Sequence, residues 1–134
     1  GYSWAINNYK PIKIADGIEA KITLGIAFGF RGFTAPPSYA EIEGGVIFSP
    51  ELGSIISIGE RIVIAPKLGY SPLLNQGVIG SRTVFEVHAL LKALPWLGFS
   101  ITPSLENFHF KKTDDTPEYT SKFSTTRFGL ALIF

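Results

Sequence analysis

The sequence predicts an all-β fold: an antiparallel, up-and-down sheet of eight strands closed into a membrane-spanning barrel, as one domain over residues 1–134. Three observations carry that expectation. Long segments alternate large apolar residues with small or polar ones at a period of two. Tight turns alternate along the chain with longer connections rich in Pro, Gly or polar residues. The face opposite the apolar one is small, sparsely charged and mixed in sign, which suits a narrow packed interior better than a watered surface.

The first clear strand covers residues 18–30. Ile18, Ala20, Ile22, Leu24, Ile26, Phe28 and Phe30 share one parity, and Glu19, Lys21, Thr23, Gly25, Ala27 and Gly29 share the other. Its length exceeds the usual globular strand of about 5 to 6 residues and matches a tilted membrane strand of about 9 to 11 with extensions. Two glycines, Gly25 and Gly29, and the β-branched content disfavour a helix. Ala40, Ile42, Gly44, Val46 and Phe48 oppose Glu41, Glu43, Gly45, Ile47 and Ser49 in the next. Ile62, Ile64, Pro66, Leu68 and Tyr70 oppose Arg61, Val63, Ala65, Lys67 and Gly69 in the third. Phe85, Val87, Ala89, Leu91 and Ala93 then oppose Glu86, His88, Leu90 and Lys92, and Leu97, Phe99, Ile101, Pro103 and Leu105 oppose Gly98, Ser100, Thr102, Ser104 and Glu106. The last strand, residues 125–134, sets Phe128, Leu130, Leu132 and Phe134 against Arg127, Gly129 and Ala131.

Residues 2–14 leave the count open. One strand there makes seven, whereas a fold at Asn7 and Asn8 makes an irregular first hairpin and eight, the expectation adopted. A strand lying before Gly1, or one supplied by another chain, would also complete the set. Glu60 falls on the apolar parity, and Gly59 beside it marks a bulge or the end of the strand.

The tight turns are read at Ala15, Asp16 and Gly17, at residues 49–53, and at Leu94, Pro95 and Trp96. The long connections are read at residues 32–38, 71–82 and 111–121, so short and long connections segregate to opposite ends. Aromatic residues sort with them into two belts, Phe48, Trp96 and Phe134 at the short end and Phe28, Phe30, Tyr70, Phe85, Phe108 and Phe110 at the long end, as amphipathic rings do at membrane interfaces.

Composition narrows the functions available. A net charge of +1 and a pI near 8.2, with Lys and Arg scattered singly, provide no stripe that would track phosphates, so nucleic acid is not an expected partner. The absence of cysteine removes disulfides and thiolate metal sites. A mean hydropathy of +0.24 is high for a small soluble domain. Yet no apolar run approaches the ~18 residues of a spanning helix. The absence of methionine, even at position 1, is read as a processed chain, and a removed signal peptide fits.

The inward parity collects Glu19, Lys21, Glu41, Glu43, Arg61, Lys67, Glu86, His88, Lys92, Glu106 and Arg127, and buried charges need partners of opposite sign. These residues are expected to form a charge network filling the interior. Glu86 and His88, two apart on that face, have the composition of an acid-base dyad, but a structural network is the stronger expectation, and no catalytic residue is assigned. His109 beside Lys111, Lys112, Asp114 and Asp115 lacks the spacing of a metal site, so neither metal nor cofactor is expected. The low polarity of residues 33–39 and 77–80 marks them as loops for a protein partner or for lipopolysaccharide headgroups.

The closing decade, with its terminal aromatic and apolar residues at every second position, resembles the C-terminal signature of bacterial outer-membrane proteins. It departs at Thr126, where that family often has another apolar residue. Over residues 18–134 the pattern resembles small outer-membrane β-barrels of the OmpA and OmpX kind. The resemblance implies residence in the bacterial outer membrane among lipid and lipopolysaccharide. It also implies recognition of Phe128, Leu130, Leu132 and Phe134 by the barrel-assembly machinery, and a non-enzymatic role as membrane anchor, surface-loop binding module or subunit of an envelope assembly. The alternatives are an outer-membrane lipid-modifying enzyme, and a soluble β-barrel binding a small apolar ligand.

Overall fold

The computed structural model describes residues 2–6, 10–32, 44–75, 78–111 and 118–133. They form one antiparallel sheet of β1 (Tyr2–Ile6), β2 (Ile12–Ala15), β3 (Ile18–Gly32), β4 (Gly44–Ile58), β5 (Ile62–Asn75), β6 (Val78–Leu94), β7 (Leu97–Phe110) and β8 (Tyr119–Leu132). From β3 onward each strand pairs with the next, giving the expected up-and-down path. β1 and β2 both pair with β3 on one edge, β1 against residues 24–28 and β2 against residues 18–20. The eight segments therefore occupy seven positions, because β1 and β2 lie one after the other along β3 rather than as a hairpin of two neighbours. With each step antiparallel, β1, β2 and β8 run in the same direction, and among the described residues no register pair joins β8 to either.

The alternation read from the sequence is a difference in exposure. In β3, Ile22, Leu24, Ile26 and Phe28 are exposed, while Lys21, Thr23, Gly25 and Ala27 are half-buried. The same holds across the sheet: Leu52, Leu68, Phe85 and Leu105 are each about half exposed, whereas the polar Ser49 and Ser71 are fully buried and Thr102 and Glu106 nearly so. Every described strand belongs to this one sheet. Among the described residues no second layer covers its inner face, an arrangement consistent with the β-barrel class.

The turns of one end are short and joined to one another. Asp16 and Gly17 link β2 to β3, residues 59–61 link β4 to β5, and Pro95 and Trp96 link β6 to β7. Gly17 and Gly59 hold φ of 74° and 57°, the left-handed region a tight turn uses and a β-carbon disfavours. The Gly59 N–H donates to the Gly17 carbonyl at 2.6 Å, Lys92 to Arg61 at 2.8 Å and Ile133 to Trp96 at 3.0 Å.

Three readings of the sequence need correction. Residues 49–53 are the middle of β4, which runs on to Ile58, so the turn lies at residues 59–61 and Glu60 sits in it. Residues 71–82 are not a long loop: β5 and β6 stay paired from Ser71↔Arg82 up to Asn75↔Val78. In both stretches Pro and Gly mislead. Phe48 consequently stands beside Phe28, their rings 5.3 Å apart edge to face, and not at the short end. The third correction concerns Phe108 and Phe110, which share the parity of Glu106 and are buried on the inner face rather than in an outer belt. Residues 33–43, which hold most of the first long connection and the start of the second strand read from the sequence, lie outside the described residues, as do residues 112–117 and Phe134.

Prolines explain where the ladder breaks. β3 and β4 pair without interruption from Ile18↔Ile58 to Gly32↔Gly44. β4 and β5 pair only at residues 51–53 with 67–69 and 56–58 with 62–64, a seam that carries Pro50, Pro66 and Pro72. A proline has no N–H for the ladder. The register sets Pro50 opposite Tyr70, and the Ser49 hydroxyl donates to the Tyr70 carbonyl at 3.2 Å in place of that missing donor. The Ser71 hydroxyl likewise donates to the Pro72 carbonyl at 3.0 Å.

Candidate functional site

The inner face carries a ladder of alternating charge across the strands. Glu51 on β4 meets Lys67 on β5 at 3.4 Å, and Lys67 meets Glu86 on β6 at 3.6 Å. The second oxygen of Glu86 takes the guanidinium of Arg127, which reaches over β7 from β8. Two carboxylates and two cations thus balance along one line. The Glu51 side chain is 9% exposed and Glu86 19%, whereas Arg127, on the sheet edge, is 62% exposed. Its neighbours on the inner parity of β8, Thr125 and Gly129, are exposed as well, because no strand covers that edge among the described residues.

Nearer the long end, Arg82 on β6 binds Glu106 on β7, both side chains largely buried. Above that pair the interior becomes aromatic. Phe108 packs edge to face on Phe123 at 5.7 Å, and Phe110 stacks on Tyr119 at 6.3 Å. The Phe110 ring occupies the space over Gly80, where an added β-carbon would come within 2.6 Å of it. Gly80 and Phe110 are register partners, so the glycine gives the ring its seat.

His88 is half-buried on the same face, with Nδ1 2.8 Å from the Thr102 hydroxyl. The dyad with Glu86 is not assembled, since the Glu86 carboxylate is held by Lys67 and Arg127. Of the other expected members, Lys21 and Lys92 are half-buried on the inner face. Glu19 is exposed beside the β2–β3 turn, and Arg61 is exposed in the β4–β5 turn, so neither is an interior charge. Glu41 and Glu43 lie outside the described residues. Two partners were missed: Glu51, read as part of a turn, and Arg82, read as the end of a loop. The signal was available, because the inward parity running from Lys67 through Gly69 and Ser71 continues into both strands alongside.

On the outer face, Phe128, Leu130 and Leu132 are the most exposed apolar side chains described, Phe128 at 79%. His109 is outward too, 3.1 Å from the Thr120 hydroxyl and 3.3 Å from Glu118. Of the acidic loop residues beside it, Asp114 and Asp115 lie outside the described residues.

The arrangement ties four strands together electrostatically, through Glu51, Lys67, Glu86 and Arg127. Comparison with known proteins finds no matching protein family, no similar curated protein and no similar solved structure.

Proposed function

We propose that the chain is a transmembrane β-barrel of the bacterial outer membrane with a non-enzymatic role: a membrane anchor, a surface-loop binding module or a subunit of an envelope assembly. The observation that carries this reading is the inversion of polarity, in which Leu, Ile and Phe side chains face outward over most of the sheet while Ser, Thr and paired charges are shielded. In water that outer face would cost roughly 1.5 to 3 kcal/mol for each large side chain left uncovered. Hydrocarbon removes that cost, and a closed sheet satisfies its own backbone within the membrane.

The expected barrel has eight strands. Direct closure of β8 on β1 and β2 would be parallel, because these edges run the same way; an eighth strand running oppositely between them would make every seam antiparallel. The charge ladder and the Phe108 and Phe110 rings fill the interior on this reading, which makes it a sealed scaffold rather than a solute channel. Lipid and lipopolysaccharide then surround the outer face, loops at the long end are available to a protein partner, and the barrel-assembly machinery reads Phe128, Leu130, Leu132 and Phe134.

Cell fractionation tests the reading. The precursor expressed in a Gram-negative host is expected in the outer membrane, extractable only with detergent and heat-modifiable on gels. Deleting Phe134 is expected to reduce the amount inserted in cells far more than the yield refolded into micelles. Recovery of the intact chain as a soluble periplasmic or cytoplasmic protein would contradict the assignment.

A further inference from the structure

Both histidines of this chain lie beside a threonine hydroxyl, and they differ in what else they meet. On the inner face His88 Nδ1 is 2.8 Å from the Thr102 hydroxyl, but Thr102 is buried and Glu86, on the same strand face, is held by Lys67 and Arg127. On the outer face His109 is engaged at both ring nitrogens. Its Nδ1 is 3.1 Å from the Thr120 hydroxyl and its Nε2 is 3.3 Å from the Glu118 carboxylate. His109 and Thr120 are register partners on β7 and β8, Thr120 is exposed, and the His109 side chain is 43% exposed. A carboxylate only accepts hydrogen bonds, so in the neutral ring Nε2 carries the hydrogen and donates it to Glu118. Nδ1 is then the acceptor, with its lone pair toward the Thr120 O–H. Carboxylate, imidazole and hydroxyl in that order are the parts of an activated nucleophile.

The surroundings supply the remaining parts of a reactive site. One row toward the short end, Asn107 pairs with Lys122, so an exposed amide and an exposed ammonium stand beside and diagonal to Thr120 and His109 on the same face. Diagonal neighbours on a sheet are within reach of long side chains. Both groups donate hydrogen bonds to an oxygen that gains negative charge next to the hydroxyl. Further along the outer face of β7 come Leu105, Ile101 and Phe99, all exposed. A polar cluster followed by an apolar strip matches a molecule with an ester near its polar head and a long apolar tail.

We infer that Thr120 is an acyl-accepting nucleophile, with His109 as its base and Glu118 as the group that orients the imidazole, and that it takes one acyl group from the carboxylic ester of a membrane phospholipid. The choice of donor rests on the membrane reading given above; the nucleophile rests on the geometry of the three side chains. The Thr120 hydroxyl oxygen bonds to the acyl carbon while its proton passes to His109 Nδ1, and Glu118 balances the imidazolium. Asn107 and Lys122 meet the charge on the carbonyl oxygen. The ester C–O bond then breaks, and the proton on Nδ1 goes to the departing alkoxide. The products are a lysophospholipid and acylated Thr120, with nothing oxidised or reduced. The new ester is secondary and crowded by the threonine methyl group, and its tail lies along Leu105, Ile101 and Phe99 away from water. The acyl group is therefore retained, one per chain, as a covalent addition to the anchoring role rather than an enzymatic turnover.

The test places the full chain in detergent micelles with p-nitrophenyl hexanoate and, separately, in phosphatidylcholine vesicles with no added ester. In micelles a burst of p-nitrophenolate up to one equivalent per chain is expected, with one hexanoyl group found by mass spectrometry on the peptide that carries Thr120. In vesicles the same peptide is expected to gain a fatty acyl group as lysophosphatidylcholine appears. Thr120→Val is expected to abolish the modification and Thr120→Ser to retain it, which separates loss of the hydroxyl from loss of the fold. His109→Gln is expected to slow the burst by about 100-fold or more. An unmodified Thr120 in both media, or a Thr120→Val variant acylated like the parent, would overturn the proposal. Acylation in micelles alone, by a chain that does enter the vesicles, would overturn the phospholipid donor, and release continuing past one equivalent would overturn retention. A chain that does not associate with the vesicles would contradict the membrane reading, while the micelle burst still decides whether Thr120 is the nucleophile.

Discussion

Leu105 and Glu106 are consecutive residues of β7 that obey opposite rules: the leucine is 53% exposed and the glutamate is 7% exposed and bound to Arg82. The contrast recurs along much of β3 to β7 among the described residues. The outer region is made of large apolar side chains, whereas the inner region combines small residues with paired ions, Glu51, Lys67, Glu86 and Arg127 in one ladder and Arg82 with Glu106. In a water-soluble protein the solvent selects polar groups for the outside, and the membrane setting proposed above is one that would reverse that selection. The two regions also differ in what they tolerate: the inner one depends on particular partners, the outer one only on being apolar.

The largest expected effect therefore lies inside. Replacing Arg82 by Leu leaves Glu106 shielded without its guanidinium, at a cost of about 3 to 5 kcal/mol in unfolding from detergent. The double change Arg82→Leu with Glu106→Leu is expected to recover much of that loss. A single variant as stable as the parent would show that the inner pair is solvated.

Steric fit in the same region ranks next. Gly80→Val drives a branched side chain into the Phe110 ring, which lies within 2.6 Å of an added β-carbon. The expected loss is about 1 to 3 kcal/mol, read as a lower urea midpoint in micelles. Replacing Phe110 by Leu in that background should restore part of it.

Arg127→Leu sharpens the comparison, because Arg127 is an inner residue with outer exposure. Glu86 keeps Lys67, so the loss is expected to be roughly 1 kcal/mol, clearly less than for Arg82. Outer substitutions that stay apolar, such as Leu105→Ile, should change stability by about 0.5 kcal/mol or less. If Leu105→Ile costs more than Arg82→Leu, the two faces have been assigned the wrong way round.

Most strands of this fold were legible because period two survives every insertion of Gly and Pro. β3 and β7 were read nearly whole, and the turns at residues 16–17 and 95–96 were found where Asp-Gly and Pro-Trp break the alternation. Residues 49–53 and 71–82 were misread because Pro and Gly are among the commonest turn residues. Here Pro50, Pro72 and Pro103 sit on the outer face, and serine hydroxyls answer the carbonyls opposite or beside two of them. Gly53, Gly69 and Gly80 lie beneath side chains of adjacent strands. Phe108 and Phe110 were misplaced by sorting the aromatics into interfacial belts, although their parity with Glu106 already pointed inward. The ladder was half legible: Lys67, Glu86 and Arg127 followed from parity, and Glu51 and Arg82 were lost with the two false loops.

The central claim is that the outer face is solvated by hydrocarbon. The most direct measurement dilutes the urea-unfolded, untagged chain into plain buffer and, in parallel, into phosphatidylcholine vesicles, and follows β-sheet circular dichroism with protease protection. A protected β-sheet signal is expected only with vesicles, with aggregation in buffer. A folded, monodisperse chain in buffer that does not bind the vesicles would contradict the account.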